Sequence, residues 1–176
     1  LKCLFCSTGA NDPKNHPTEF IVDKDYLVKW VKDVVKFKGP GIEINIDSVG
    51  EPTAYPQLVE LVSDLKKIPE VKKISMQTNG TLLTTEKIKQ LEEAGLDHIN
   101  LSIDTLDVKK GAYLRGCESY NVQKLVETAK LIRNSKIELL LAPVWLPDVN
   151  DEDVKNLIKL AKVLDCRIGI QKYEIY

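Results

Sequence analysis

The segment Ile137-Glu138-Leu139-Leu140-Leu141-Ala142-Pro143-Val144 decides the fold. It is apolar almost throughout, which is the pattern of a strand buried on both faces in a parallel sheet. Upstream of it, Val122, Leu125, Val126, Ala129 and Ile132 recur at helical spacing. Before that helix, His98-Ile99-Asn100-Leu101-Ser102-Ile103 reads as another strand. Strand, helix and strand then repeat in both directions along the chain.

Toward the N-terminus, Thr84-Thr85-Glu86 opens a helix carrying Ile88, Leu91 and Ala94, with Gly95 as its C-cap. Residues 71–77, with Ile74 and Met76, read as a strand, and Leu58, Leu61, Val62 and Leu65 as the helix before it. Ile42-Glu43-Ile44-Asn45-Ile46 alternates strictly, as a strand does. Tyr26, Leu27, Trp30, Val31, Val34 and Val35 mark the first helix. Toward the C-terminus, Asn150 caps a helix with Val154, Leu157, Ile158 and Ala161 on its inner face, and residues 166–173 form the last strand. Strands begin roughly every 25–40 residues, the length of one βα unit. Alternating units imply a parallel sheet, open or curled. The expected architecture is an α/β fold, a partial (βα)6 TIM-like barrel of parallel strands. A strand is expected before the first helix, and none is found after Leu1. The reading is of a single core domain, residues 1–176, shortened at its N-terminus and at Tyr176.

Composition narrows the class. The chain has 176 residues, 43% of them hydrophobic and 29% charged, with a net charge of −1. That is enough for one domain with a sizeable core. A near-neutral balance gives no support for non-specific attraction to nucleic acid or membranes. Lysine pairs such as Lys66–Lys67, Lys72–Lys73 and Lys109–Lys110 alternate with acids and read as solvated faces. No apolar run is long enough to span a bilayer. Cys3, Cys6, Cys117 and Cys166 are too few for a secreted disulfide scaffold, so a cytoplasmic, reducing location is expected.

In parallel βα folds, ligand sites collect at the C-terminal ends of the strands. The polar and glycine-bearing motifs all fall on that rim. They are Cys3-Leu4-Phe5-Cys6, Asp47-Ser48-Val49-Gly50-Glu51-Pro52, Thr78-Asn79-Gly80, Ser102-Ile103-Asp104-Thr105 and Pro147-Asp148-Val149-Asn150. A Cys-x-x-Cys pair such as Cys3 and Cys6 can bind zinc, form a redox disulfide or supply part of an iron–sulfur site. Zinc would need further ligands. Cys117 and Cys166 are candidates by number, but Cys166 starts a strand and belongs to the opposite rim.

Cys3-Leu4-Phe5-Cys6 resembles the second half of the radical S-adenosylmethionine signature, Cys-x-x-x-Cys-x-aromatic-Cys. Val49-Gly50-Glu51-Pro52 is similar to the family's Gly-Gly-Glu-Pro, and Thr78-Asn79-Gly80 to a frequent motif of its next strand. Leu101-Ser102-Ile103-Asp104-Thr105-Leu106-Asp107 resembles the following segment, above all in the molybdenum-cofactor-synthesis and peptide-modifying branches. The resemblance covers nearly the whole chain. Two departures stand out. The signature's first cysteine would fall two residues before Leu1, and Val49 replaces the first glycine of Gly-Gly-Glu.

The resemblance implies a [4Fe-4S] cluster and S-adenosylmethionine as cofactors. In the family, three thiolates leave one iron open to the amino and carboxylate groups of S-adenosylmethionine. Its reductive cleavage gives methionine and a 5′-deoxyadenosyl radical that abstracts hydrogen from substrate. Cys3 and Cys6 are the implied metal ligands. Phe5, Gly50, Glu51, Thr78, Ser102, Asp104 and Gln171 are the implied cofactor-binding residues, with Tyr173 beside the adenine. Glu51 would accept from the ligand's ammonium, Gly50 would admit close backbone approach, and Ser102 and Asp104 would bond ribose hydroxyls or the methionine end. Alternation along the strand places Ser102 and Asp104 on one face. The implied partners are a small-molecule, peptide or RNA substrate and an electron donor such as flavodoxin or ferredoxin. With two of three thiolates, the chain as it stands is expected to be inactive, and its parent active.

The same residues carry plainer readings. Gly50-Glu51-Pro52 and Asn79-Gly80 also suit turns, Asp104 and Asn150 also suit caps, and Cys117 and Cys166 read as unmodified thiols. His16 and His98 read as structural or solvated, and Trp30 and Trp145 as packing residues. Two other functions compete: a non-catalytic zinc- or nucleic-acid-binding βα protein using Cys3 and Cys6, and a TIM-type aldolase or lyase. The latter would need a barrel lysine or metal triad that the sequence does not offer.

Overall fold

The computed structural model describes residues 1–6 and 21–173. His16 lies outside the described residues. Among those described, helices α1 (Lys24–Lys38), α2 (Leu58–Lys66), α3 (Thr85–Ala94), α4 (Val108–Arg115), α5 (Val122–Arg133) and α6 (Asp151–Val163) are interspersed with seven strands. The strands are β1 (Ile42–Ile46), β2 (Val71–Thr78), β3 (His98–Leu101), β4 (Glu138–Leu141), β5 (Val144–Trp145), β6 (Arg167–Ile168) and β7 (Gln171–Lys172). Five of them form one sheet in the order β1-β2-β3-β4-β6, and β5 pairs with β7. Every pairing is parallel. This is a partial βα barrel, the curled one of the two arrangements that the alternation allows, and no strand precedes α1 among the described residues.

Register separates the two faces of the sheet. Ile46 lies beside Met76, Met76 beside Ile99 and Ile99 beside Leu139. These side chains join Leu61, Leu65, Leu91, Leu125, Ile132 and Leu157 of the helices in one core. The helices present this stripe because their apolar residues recur every three to four positions. The opposite face is polar: Asn45 beside Ser75, Ser75 beside His98, His98 beside Glu138. There Glu138 accepts from Lys73 at 2.8 Å and contacts His98 Nδ1 at 3.2 Å. His98 is thus a buried, hydrogen-bonded residue of the inner wall.

Several elements differ from the sequence expectation. Residues 137–144 form β4 and β5 rather than one strand, because Pro143 between them has no amide hydrogen to donate. Residues 166–173 likewise divide into β6 and β7 around Gly169, whose amide bonds the Leu141 carbonyl at 2.8 Å. Asn150 precedes α6 without capping it through its side chain. Instead its amide group donates to the carbonyls of Asp104 and Val144 and accepts from the Leu146 amide, tying the segment after β3 to β5. Trp145 bonds Asp151 through its indole nitrogen, whereas Trp30 on α1 is exposed. Helix α4, where the sequence reading placed no element, is capped by Asp107 and closed by Gly116. No helix among the described residues is long and apolar enough to cross a membrane.

Candidate active site

A cavity of about 290 Å³ opens at the C-terminal ends of β1, β2 and β3. Six of the residues singled out in the sequence line it: Cys3, Cys6, Gly50, Glu51, Thr78 and Ser102. Topology explains the convergence. Parallel strands end on one side, so the segments after Ile46, Thr78 and Leu101 share a rim, and the Ser102 amide donates to the Thr78 carbonyl at 2.9 Å.

Glu51 is the centre of this rim. Its Oε1 accepts from the Thr53 amide at 3.0 Å, the Thr53 hydroxyl at 2.6 Å and the Thr78 hydroxyl at 2.5 Å. Its Oε2 accepts from the Asn79 amide at 2.8 Å. One carboxylate thus joins the loop after β1 to the end of β2. Oε2 accepts one of these four bonds against three on Oε1, and so has the larger remaining acceptor capacity. Thr78 donates to Glu51 and accepts from the Gly80 amide at 3.0 Å, so its hydroxyl is committed within the protein. A Cβ on Gly50 would meet only Ser48 Oγ, at 3.9 Å. Packing does not demand glycine there, and the missing side chain leaves cavity space.

Cys3 and Cys6 form a turn in which the Cys6 amide donates to the Cys3 carbonyl at 3.2 Å. Cysteine thiolates are the ligands that iron–sulfur clusters take. The two sulfur-bearing residues therefore fit a cluster as part of its ligand set. Among the described residues, no group of three or more His, Cys, Asp or Glu side chains is placed to hold a metal ion.

Three expected site residues lie off the cavity wall. Asp104 is 3% exposed, pairs with the Arg115 guanidinium and accepts from the Val144 amide at 2.9 Å. Strand β3 ends at Leu101, so the alternation that placed Asp104 on the face of Ser102 no longer applies. Burial pushes the Asp104 carboxyl above its ordinary value, with Arg115 and the Val144 amide opposing that shift. Phe5 is buried beneath Arg115, whose guanidinium carbon stands 5.2 Å from the ring centroid. Gln171 sits exposed on β7, its amide bonded to the Pro143 carbonyl, and the Tyr173 amide bonds the Trp145 carbonyl.

Other residues join the wall. Arg115, Gln77, Asn79 and Asp47 line the cavity, and Gln77 Nε2 donates to Ser102 Oγ at 2.9 Å. Burial opposes the charge on Arg115, but Asp104, Tyr120 and Cys3 outweigh it and hold the guanidinium protonated. Beside it, burial pushes the Tyr120 phenol up to about 12. Gln77 is two residues after Ser75 on β2, a period-two signal that places it on the same polar inner face. Arg115 had a signal too: it closes an eight-residue segment between Asp107 and Gly116, a cap at each end.

A partial βα barrel with its ligand cavity at the strand C-termini and two cysteines on the cavity wall is the class that fold and site define. The chain belongs to the radical SAM superfamily, whose family pattern it matches over residues 1–161. An uncharacterised protein of Methanocaldococcus jannaschii is 44% identical over 94% of this chain and 39% of its own length. The GTP 3′,8-cyclase of Listeria monocytogenes is 30% identical over 98% of this chain and 50% of its own. Among solved structures, Streptococcus suis SuiB bound to S-adenosylmethionine superposes with a TM-score of 0.77 at 18% identity, covering 92% of this chain and 36% of SuiB. The anSMEcpe enzyme with bound AdoMet and a peptide gives 0.76 at 22% identity, over 99% of this chain and 48% of its own. These structures share the fold. The chain spans half or less of the length of these relatives.

Proposed function

We propose that residues 1–176 are the core of an enzyme that binds S-adenosylmethionine beside a [4Fe-4S] cluster and uses it for radical chemistry. The observation that carries this reading is the single cavity uniting Cys3 and Cys6 with Gly50, Glu51, Thr78 and Ser102. Cys3 and Cys6 would hold the cluster through two thiolates. When bound, the cluster supplies the electron that splits S-adenosylmethionine to methionine and a 5′-deoxyadenosyl radical.

The protein residues bind and orient. Glu51 Oε2 accepts from the ammonium of the methionine end, held in place by the three donors on Oε1. Gly50 leaves room for the ligand's backbone-like atoms. Ser102, steadied by Gln77, offers its hydroxyl to the ribose or the methionine end. Thr78 fixes Glu51, and Asp104 acts at one remove by fixing Arg115. Phe5 packs under Arg115 beside the cysteine turn, and Gln171, exposed on β7 away from the cavity wall, is left as an adenine-side residue only on the family resemblance. The substrate is a small molecule, a peptide or an RNA, and the higher identity to the GTP cyclases favours a small molecule. The electron comes from a flavodoxin- or ferredoxin-type donor in the cytoplasm.

Calorimetry with S-adenosylmethionine on anaerobically reconstituted full-length protein tests this. Ser102→Ala and Glu51→Ala are expected to weaken binding at least about tenfold, the effect of losing one hydrogen bond to a charged or polar ligand group. Unchanged affinity in both would refute the assignment. Metal analysis separates the zinc-binding alternative: iron with acid-labile sulfide supports the radical enzyme, and stoichiometric zinc overturns it.

A further inference from the structure

The last turn of α4 is built around the cysteine loop. The amides of Lys2 and Leu4 donate to the carbonyls of Arg115 and Leu114, each at 3.0 Å. These are carbonyls that a helix end leaves without intrahelical partners. Gly116 follows with φ of 55°, and a Cβ on it would lie 2.3 Å from the Lys2 carbonyl oxygen. Only glycine allows the loop to lie so close in that backbone conformation.

The same helix end delivers a buried cation. Arg115 is 5% exposed. Its Nη2 pairs with Asp104, and its Nη1 donates to Cys3 Sγ at 3.6 Å, within range for the larger sulfur atom. Its guanidinium also stands over the ring of Phe5, which lies between the two cysteines in sequence. Asp104 is anchored in turn by the Val144 amide. A planar fork can serve a carboxylate and a sulfur at once, which a lysine ammonium cannot do with the same geometry.

From this arrangement we propose that Arg115 is a positioning residue for Cys3, and that its N–H···S contact raises the reduction potential of the cluster held there. The proposal rests on the reading of Cys3 as a cluster ligand. Hydrogen bonds to cluster sulfurs stabilise the more negative, reduced state, and partners of the ligands fix ligand orientation. Asp104 keeps the guanidinium aimed and offsets its net charge, so the directed N–H carries the effect.

The test uses full-length protein in wild-type, Arg115→Lys and Arg115→Gln forms, with two readouts that do not depend on turnover. The first is a redox titration of the reconstituted cluster followed by electron paramagnetic resonance. In each variant the reduced-to-oxidised ratio at a fixed potential is expected to fall roughly tenfold, equivalent to about 59 mV for one electron. The second is hydrogen exchange of the Lys2 and Leu4 amides in cluster-free protein, expected to be faster in Arg115→Lys than in wild type. Arg115→Lys keeps a charge opposite Asp104, so it remains informative if Arg115→Gln does not fold. A wild-type potential in Arg115→Lys, or unchanged exchange at Lys2 and Leu4, would overturn the proposal. Failure of wild-type protein to take up iron and sulfide would instead sink the reading of Cys3 as a ligand, and the exchange measurement would still decide whether Arg115 holds the loop.

Discussion

Replacing Glu51 by glutamine keeps the side chain's size and removes its charge, so it isolates what the carboxylate does. In the structure four donors converge on the two oxygens, from Thr53, Thr78 and Asn79. The glutamine carbonyl can retain the three on the Oε1 side as weaker, neutral bonds. The amide nitrogen must then face the Asn79 amide, donor against donor. Leaving this half-buried donor unsatisfied costs up to about 1–3 kcal/mol, and weakening the charge-assisted bonds adds to it. A total near 3 kcal/mol corresponds to a fall in Tm of about 6–12 °C for a domain of this size. The assay is urea unfolding with Tm as a cross-check, comparing wild type, Glu51→Gln and Glu51→Ala. Alanine leaves every donor without its acceptor and should cost more than glutamine. A loss below about 1 kcal/mol in Glu51→Gln, or a milder effect from alanine than from glutamine, would show that this carboxylate does not hold the rim together.

Asp104→Asn leaves Arg115 buried without its counter-charge, and a loss of about 3–5 kcal/mol is expected in denaturant melts; a loss within about 1 kcal/mol would mean that Arg115 finds another partner. At Gly80, φ is 71° and a Cβ would fall 2.5 Å from Leu101 Cδ1, so Gly80→Ala should destabilise by roughly 2–4 kcal/mol through backbone strain and overpacking, and a neutral result would refute the geometry of that turn. Hydrogen bonds from Lys24 and Lys67 hold the Asp64 carboxyl at about 2. Its folded pKa is therefore below its unfolded one, so its contribution is present above about pH 4 and is lost as pH falls through about 2. Asp64→Asn should remove that part of the acid sensitivity in a Tm-versus-pH series, and an unaltered slope would contradict the pairing.

The βα order was legible because burial imposes simple periods. Residues such as Ile42, Ile44 and Ile46, or Leu58, Leu61 and Leu65, face the core and show their spacing directly. The rim motifs were legible because parallel strands must end together, and Cys3, Glu51, Thr78 and Ser102 do meet. Helix α4 was not, since Gly111 sits in its middle and the segment carries almost no apolar stripe. The structure supplies the reason: a Cβ on Gly111 would lie 2.5 Å from Val122 Cγ2, so glycine permits the close approach of α4 to the start of α5. With α4 unseen, Arg115 was unseen as well. Asp104 was misplaced for a related reason, because two-residue alternation was carried past the point where β3 ends. Pro143 and Gly169 carried the information that two apparent strands would divide, but that signal gains meaning only when the neighbouring ladder is known.

In the proposed function, Cys3 and Cys6 are two ligands of a cluster that drives cleavage of S-adenosylmethionine. The most direct measurement is 5′-deoxyadenosine formation after anaerobic reconstitution, dithionite and S-adenosylmethionine. It is run on the sequence as it stands, on a version carrying a cysteine four positions before Cys3, and on that version with Cys6→Ala. The expected result is 5′-deoxyadenosine and methionine in equal amounts from the extended version, and none from the other two. Equal production by all three would contradict the role of the cysteines, and none from the extended version would contradict the proposed chemistry.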